Sequence, residues 1–265
     1  MSAAPSPRNI PKLVRELQRR KAREERGMVI AEGRRLVADA LGADAAIEAL
    51  LVADDVADAA RAMLATATAR GIQAEVVARR DFDALADTET PSGVLAVIRW
   101  EPAGLPSVPA RDPAHAPALI IDGVQDPGNV GTMIRTAFAL GARCTIALDG
   151  TADVRSPKVV RAAMGALFRH PTVQATWHEL CEHWGRGGPV MLLAVQDGDD
   201  VRRLAPESAD VAIVVGSEGH GVRGEWAAGW PGTVRRVTVP MRAGAESLNA
   251  AVAAGILLHE LGRGA

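Results

Sequence analysis

The chain has 265 residues, 48% of them hydrophobic and 23% charged, enough for one large domain or two smaller ones with sizeable cores. No apolar run reaches the roughly 18 residues that a membrane span needs, the N-terminal MSAAPSPRNIPK lacks the hydrophobic stretch of a signal peptide, and Cys144 and Cys181 lack paired metal or redox spacing. These features exclude a membrane-spanning protein, a disulfide scaffold and a zinc protein, and a cytoplasmic protein without a bound metal is expected. The net charge of −2 hides a basic segment: ten Arg or Lys stand against four Glu between Arg8 and Arg35. Such a surplus suggests contact with a polyanion, most simply nucleic acid, the alternative being a solvated helix face.

Taken in order, Ile10, Leu13, Val14 and Leu17 recur at helical spacing, and QRRKAREERG continues that helix until Gly27 stops it. MVIAEG then reads as a strand and turn, RRLVADAL as a helix and IEALLVA as a strand. A helix over about Asp55 to Arg70 follows, then strands at IQAEVV and VLAVIRW. Residues 1–100 therefore form a small α/β domain. Five prolines (Pro102, Pro106, Pro109, Pro113 and Pro117) mark residues 101–117 as a semi-rigid linker. Residues 118–265 resume the alternation, with strands at ALIIDG, CTIALD, VMLLAVQ, VAIVVG and VRRVTVP and a helix opened by Ser156 and Pro157. Continuous apolar strands between helices predict a mostly parallel sheet covered on both faces, with ligands where loops leave the strand C-termini.

Three such loops are rich in Gly, Pro and small polar residues. In DGVQDPGNVGTMIRTAFALGA, Asn129 and Gly131 precede Arg135, whose guanidinium can clamp a phosphate through two hydrogen bonds. In VAIVVGSEGHGVRG, Gly219, Gly221 and Gly224 satisfy the G-x-G-x-x-G pattern of dinucleotide sites. Glu218 would repel a pyrophosphate there, however, and Gly229 and Pro231 break the helix that the pattern requires. In VTVPMRAGAESLNAAVAAGILLHE a strand gives way to a short loop and a helix for which Ser247 is the expected N-cap, beside Asn249.

Together NVGTMIRTA, VGSEGHGV and VPMRAGAESLNAAVAAGILLHE resemble the three ordered motifs of the SpoU (TrmH-type) RNA ribose 2′-O-methyltransferases of the SPOUT superfamily. RKAREERGMVIAEGRRLVADAL and TPSGVLAVI are similar to the substrate-binding domain of the longer members. The resemblance implies a C-terminal α/β domain with a trefoil knot, a homodimer, and methyl transfer from S-adenosylmethionine to a ribose 2′-hydroxyl of RNA, with rRNA (23S type) favoured over tRNA. By the same likeness, Gly216, Val239, Met241 and Leu248 line the cofactor pocket, and Asn129, Arg135, Glu218, Ser247 and Asn249 hold the catalytic positions. Arg135 would serve the partner's cofactor, and as a clamp on the target's phosphate it would also stabilise the developing alkoxide, with Ser247 or a water passing the proton. Arg19, Arg20, Lys21, Arg23, Arg34 and Arg35 are the cations expected to track RNA phosphates. The competing readings are a tRNA methyltransferase, a non-catalytic RNA-binding factor on the same fold, and a dinucleotide oxidoreductase.

Overall fold

The computed structural model describes residues 9–112, 116–185, 187–204 and 210–262; Arg8 of the basic segment, Pro113 of the linker and the side chain of Trp226 lie outside them. Ile10, Leu13, Val14 and Leu17 are buried along one face of α1 (Ile10–Leu17), which Asn9 caps by accepting from the Lys12 N–H at 2.9 Å. The basic run does not extend this helix. The chain breaks at Gln18 and Arg19 and restarts as α2 (Arg20–Arg26). Arg23 explains the break: it is only 5% exposed and donates from Nη1 to the carbonyls of Leu17 and Gln18, both at 2.9 Å. An ending helix leaves these carbonyls without intrahelical donors, so Arg23 caps α1.

Gly27, in the left-handed conformation at φ 60°, ends α2 and admits β1 (Met28–Glu32). Then come α3 (Arg34–Gly42), β2 (Ala46–Ala53), α4 (Arg61–Ala69), β3 (Gln73–Val77), α5 (Arg79–Asp83) and β4 (Val94–Arg99). The helix expected from Asp55 begins only at Arg61, after a 3-10 turn over Asp54–Val56. The four strands lie in the order β1-β4-β2-β3; β4 runs antiparallel to β1 and β2, and β2 pairs with β3 in parallel. The predicted small α/β fold is thus observed. Its compact unit comprises residues 1–101 together with 155–168, and the second unit holds 102–154 and 169–265.

The second unit is a six-stranded, wholly parallel sheet. Its elements are β5 (Ala118–Asp122), α6 (Pro127–Ala139), β6 (Cys144–Leu148), β7 (Thr172–Ala175), α8 (Trp177–Trp184), β8 (Val190–Asp200), β9 (Val211–Gly216), α9 (Gly224–Gly229), β10 (Val234–Thr238) and α10 (Ala250–Leu261), with α7 (Pro157–Ala163) falling in the first unit's segment. The strand order is β10-β8-β9-β5-β6-β7. Because both faces are covered, β5, β6 and β9 are buried at every residue, as the unbroken apolar runs predict. The edge strand β7 was not expected, since TVQA is short and lacks an apolar run. The proline-rich stretch is fastened to this unit. Ala103 bridges to Val173, Leu105 and Val108 enter the core, and Trp184 Nε1 donates to the Val108 carbonyl at 3.2 Å.

One buried polar pair makes this core sensitive to acid. His170, 6% exposed, shares a 2.9 Å hydrogen bond between its Nε2 and Thr145 Oγ1, and burial pushes the imidazole down to about 4. An unfolded His binds its proton near 6.5, so stability is complete above that pH and falls as the pH drops towards 4, by roughly 3 kcal/mol in all. Denaturant melts across this window should show that loss, and His170→Gln should flatten it.

Candidate active site

The site begins with a register jump. Along β10, Arg236 pairs with Leu193 of β8 and the next residue, Val237, pairs with Asp199. The chain between them, Ala194 to Gly198, therefore leaves the ladder and bows outwards. Gly198 permits the return, because a Cβ there would stand 2.5 Å from the Val237 backbone. The β8–β9 ladder also stops at Leu193↔Val214. Beyond that point the sheet opens, and a cavity of about 430 Å³ forms between the bow, the end of β9 and the two following loops.

Gly216, Val239, Met241, Ser247 and Leu248 all line this cavity, with Gln196, Asp197, Glu218 and Leu257. At Gly216 a Cβ would lie 2.0 Å from the Gly221 carbonyl carbon, so only glycine lets the loop fold back on its own strand. Gln196 draws the third loop over the cavity: Nε2 donates to the Glu246 carbonyl at 2.7 Å, while the Gln196 carbonyl accepts from Thr238 Oγ1 at 3.2 Å. The helix after the glycine-rich loop, α9, spans six residues, too short to present a pyrophosphate site.

Asn249, not Ser247, is the N-cap of the last helix: its Oδ1 accepts from the N–H groups of Ala251 at 3.0 Å and Val252 at 3.3 Å. That fixes the orientation of its amide, since the oxygen must face the helix. Nδ2 then donates to Asn129 Oδ1 at 3.0 Å, and Asn129 Nδ2 in turn donates to Glu218 Oε1 at 2.5 Å. Asn129 is itself placed by Asp126, the N-cap of α6, which accepts its N–H at 2.8 Å. The three loops are thus joined by a one-way chain of amides that runs from the N-terminus of α10 through Asn129 to the Glu218 side chain.

Arg135 stands apart from this chain. It is exposed in the third turn of α6, takes no part in lining the cavity, and has no ion pair or hydrogen bond among the described residues. Ser247 is exposed and likewise has no hydrogen-bond partner among them. In the first unit Arg19, Arg20, Lys21, Arg34 and Arg35 are exposed, with Arg20 paired to Glu24 at 2.7 Å and Lys21 to Glu25 at 3.7 Å. The sequence reading missed Gln196, Asp126, Asp122 and Arg223. Only Asp126, an Asp before a Pro at a helix start, carried a local signal. Among the described residues no group of His, Cys, Asp and Glu could hold a metal, and no helix is long and apolar enough to cross a membrane.

Residues 116–259 match the SpoU rRNA Methylase family, and residues 9–96 match the MRM3-like substrate binding domain. The chain is 35% identical to the 23S rRNA (guanosine(2553)-2'-O)-methyltransferase RlmP of Bacillus subtilis (strain 168), over 93% of each chain. It is 30% identical to the 23S rRNA (adenosine(1067)-2'-O)-methyltransferase of Streptomyces laurentii, over 76% of this chain and 73% of that one. The crystal structure of an AdoMet-bound rRNA methyltransferase from Sinorhizobium meliloti matches 97% of this chain and 95% of its own, with a TM-score of 0.83 and 29% identity.

Proposed function

This chain belongs to the SpoU rRNA methylase family, and on that premise we propose that it transfers the methyl group of S-adenosylmethionine to a ribose 2′-hydroxyl of 23S rRNA. The observation that carries the reading is the cavity whose lining residue Glu218 is held by the Asn249–Asn129 chain. Its volume of about 430 Å³ suits a ligand of this size. Val215, Val239, Met241, Leu248 and Leu257 offer apolar wall, and Glu218 offers a carboxyl group to a cationic ligand, while Asp197 is paired with Arg236 of the same lining. When bound, S-adenosylmethionine supplies an electrophilic sulfonium methyl.

The chain's own residues must orient a weakly acidic hydroxyl and accept its proton. Glu218, fixed by Asn129, sets the polar edge of the cavity, and Ser247 in its wall passes the proton onwards, directly or through a water. Arg135 acts as a fork-shaped cation and not as a base. It clamps the phosphate beside the target ribose and stabilises the developing alkoxide. Arg19, Arg20, Lys21, Arg34 and Arg35 track the RNA backbone, and Arg23 is removed from that set.

The reading includes the family's trefoil knot and a homodimer in which Arg135 completes the partner's site. Support for the dimer comes from α6 and α10, where Val252, 50% exposed, lines a groove with Thr132, Thr136, Ala251, Gly255 and Ile256. Cofactor titration tests the pocket: Gly216→Ala should weaken S-adenosylmethionine binding at least tenfold, because the added methyl displaces the Gly221 backbone. Unchanged affinity would place the donor elsewhere. Mapping of ribose methylation, described below, tests the reaction.

A further inference from the structure

Two strand ends of the second unit, those of β5 and β6, meet at the Arg223 guanidinium. Asp122 closes β5 with a wholly buried side chain, whose oxygens need hydrogen-bond partners. Arg223 provides it twice over. Its backbone N–H donates to Asp122 Oδ2 at 2.8 Å and its Nε to Oδ1 at 2.6 Å, while Nη2 lies 2.5 Å from the same Oδ1. Nη2 also donates to the carbonyl of Asp149, just past β6, at 2.8 Å.

Arg223 ends the glycine-rich loop that begins at Gly216, the last residue of β9. Inside the loop the Gly221 N–H donates to the Ser217 carbonyl at 2.8 Å, and the His220 N–H to Ser217 Oγ at 3.3 Å. This makes the loop a small closed turn hung between two fixed points, Gly216 on its strand and Arg223 on Asp122. Glu218 sits at the tip, so where its carboxylate meets Asn129 is set by those two points. A basic residue in a loop beside an RNA-modifying site invites assignment as a phosphate clamp. The geometry points elsewhere for Arg223, because its Nε and Nη2 are already engaged by Asp122 and the Asp149 carbonyl.

We propose that the Arg223–Asp122 pair is a positioning device for methyl transfer, holding the glycine-rich loop where Glu218 accepts from Asn129, so that Arg223 acts on turnover through Glu218. The inference rests on the methyl-transfer reading of the cavity. It is tested with labelled S-adenosylmethionine and rRNA lacking the modification, in a cycle of Arg223→Lys, Glu218→Gln and the double variant. Lys keeps the backbone N–H on Asp122 Oδ2 and a charge near Oδ1, but its single nitrogen cannot reproduce the paired Nε and Nη2 contacts with Oδ1 together with the bond to the Asp149 carbonyl. Arg223→Lys should lower kcat about tenfold with KM for RNA unchanged, and should cost nothing further in the Glu218→Gln background. A double variant whose loss is the product of the two single losses overturns the proposal. Asp122→Asn, in the same cycle, stands in if Arg223→Lys fails to fold. In the unaltered protein the Arg223 amide, donated to a buried carboxylate, should exchange its hydrogen about a thousandfold more slowly than an open loop amide; rapid exchange also overturns the proposal. A wild type that transfers no methyl group to rRNA counts against the methyl-transfer reading, and the exchange rate then decides the clamp alone.

Discussion

Arg135→Ala abolishes methyl transfer, by about a thousandfold or more, while S-adenosylmethionine still binds. The expectation follows from where the side chain stands. It lines no part of the cavity and has no partner among the described residues, so its removal leaves the pocket and the amide chain intact. Alanine also suits the exposed third turn of α6, and the helix should not suffer. Arg135→Lys should recover little, because an ammonium cannot make the two parallel bonds of a guanidinium to phosphate; near-normal turnover by that variant would show that the fork is unnecessary. A mixing experiment locates the residue's target. If Arg135 serves the partner's cavity, equal amounts of Arg135→Ala and Glu218→Gln protein, exchanged into mixed dimers, should regain about a quarter of wild-type activity. Half of the dimers are mixed, and each of those has one intact site of two. No recovery would place Arg135 with its own cavity.

Asn249→Asp lowers kcat about a hundredfold with the melting temperature unchanged, whereas Asn249→Ala lowers both. An aspartate still accepts from the Ala251 and Val252 N–H groups, so α10 keeps its cap. What it cannot do is donate to Asn129 Oδ1. Asn129 must then turn its Nδ2 towards the new carboxylate and its carbonyl oxygen towards Glu218, and the chain of amides runs backwards into an anion. The loss, about 2.7 kcal/mol of barrier, is of the size seen when one donor at a reacting centre is removed. Alanine forfeits the cap as well, at about 1 kcal/mol, which lowers the melting temperature of a chain this size by a few degrees. Normal turnover by Asn249→Asp would show that the direction of the amide chain is immaterial.

These two residues also show what the amino-acid sequence could and could not convey. The strands of the parallel sheet were legible because a strand buried on both faces must be apolar at every position, and β5, β6 and β9 are. The start of α10 was legible only to within three residues. Ser247 and Asn249 are both good caps, and the choice between them was made by Asn129, 120 residues earlier in the chain. The same limit hid the break after α1: a run of Arg and Glu favours an unbroken helix until Arg23 is found buried and bound to the carbonyls of Leu17 and Gln18. VMLLAVQ reads as a plain strand, yet the register jump between Leu193 and Asp199 is what makes the cavity, and register belongs to a pair of strands. Arg223 was silent for the same reason. Its role is defined by Asp122, 101 residues away.

The family's chemistry, by contrast, was carried by short stretches whose residues the fold gathers. The structure links Asn129, Glu218 and Asn249 and sets Ser247 in the wall of the same cavity, while Arg135 remains outside. Such a site is built from three loop segments with almost no regular periodicity of their own, so its members had to be recognised by motif, and the one-way amide chain only by geometry.

The measurement that tests the central claim most directly is a map of ribose 2′-O-methylation across total RNA from cells with and without this protein. The account predicts one additional 2′-O-methylated ribose in 23S rRNA that disappears when Arg135→Ala replaces the wild type. Methylation of a base, a target confined to tRNA, or no difference between the two maps would contradict it.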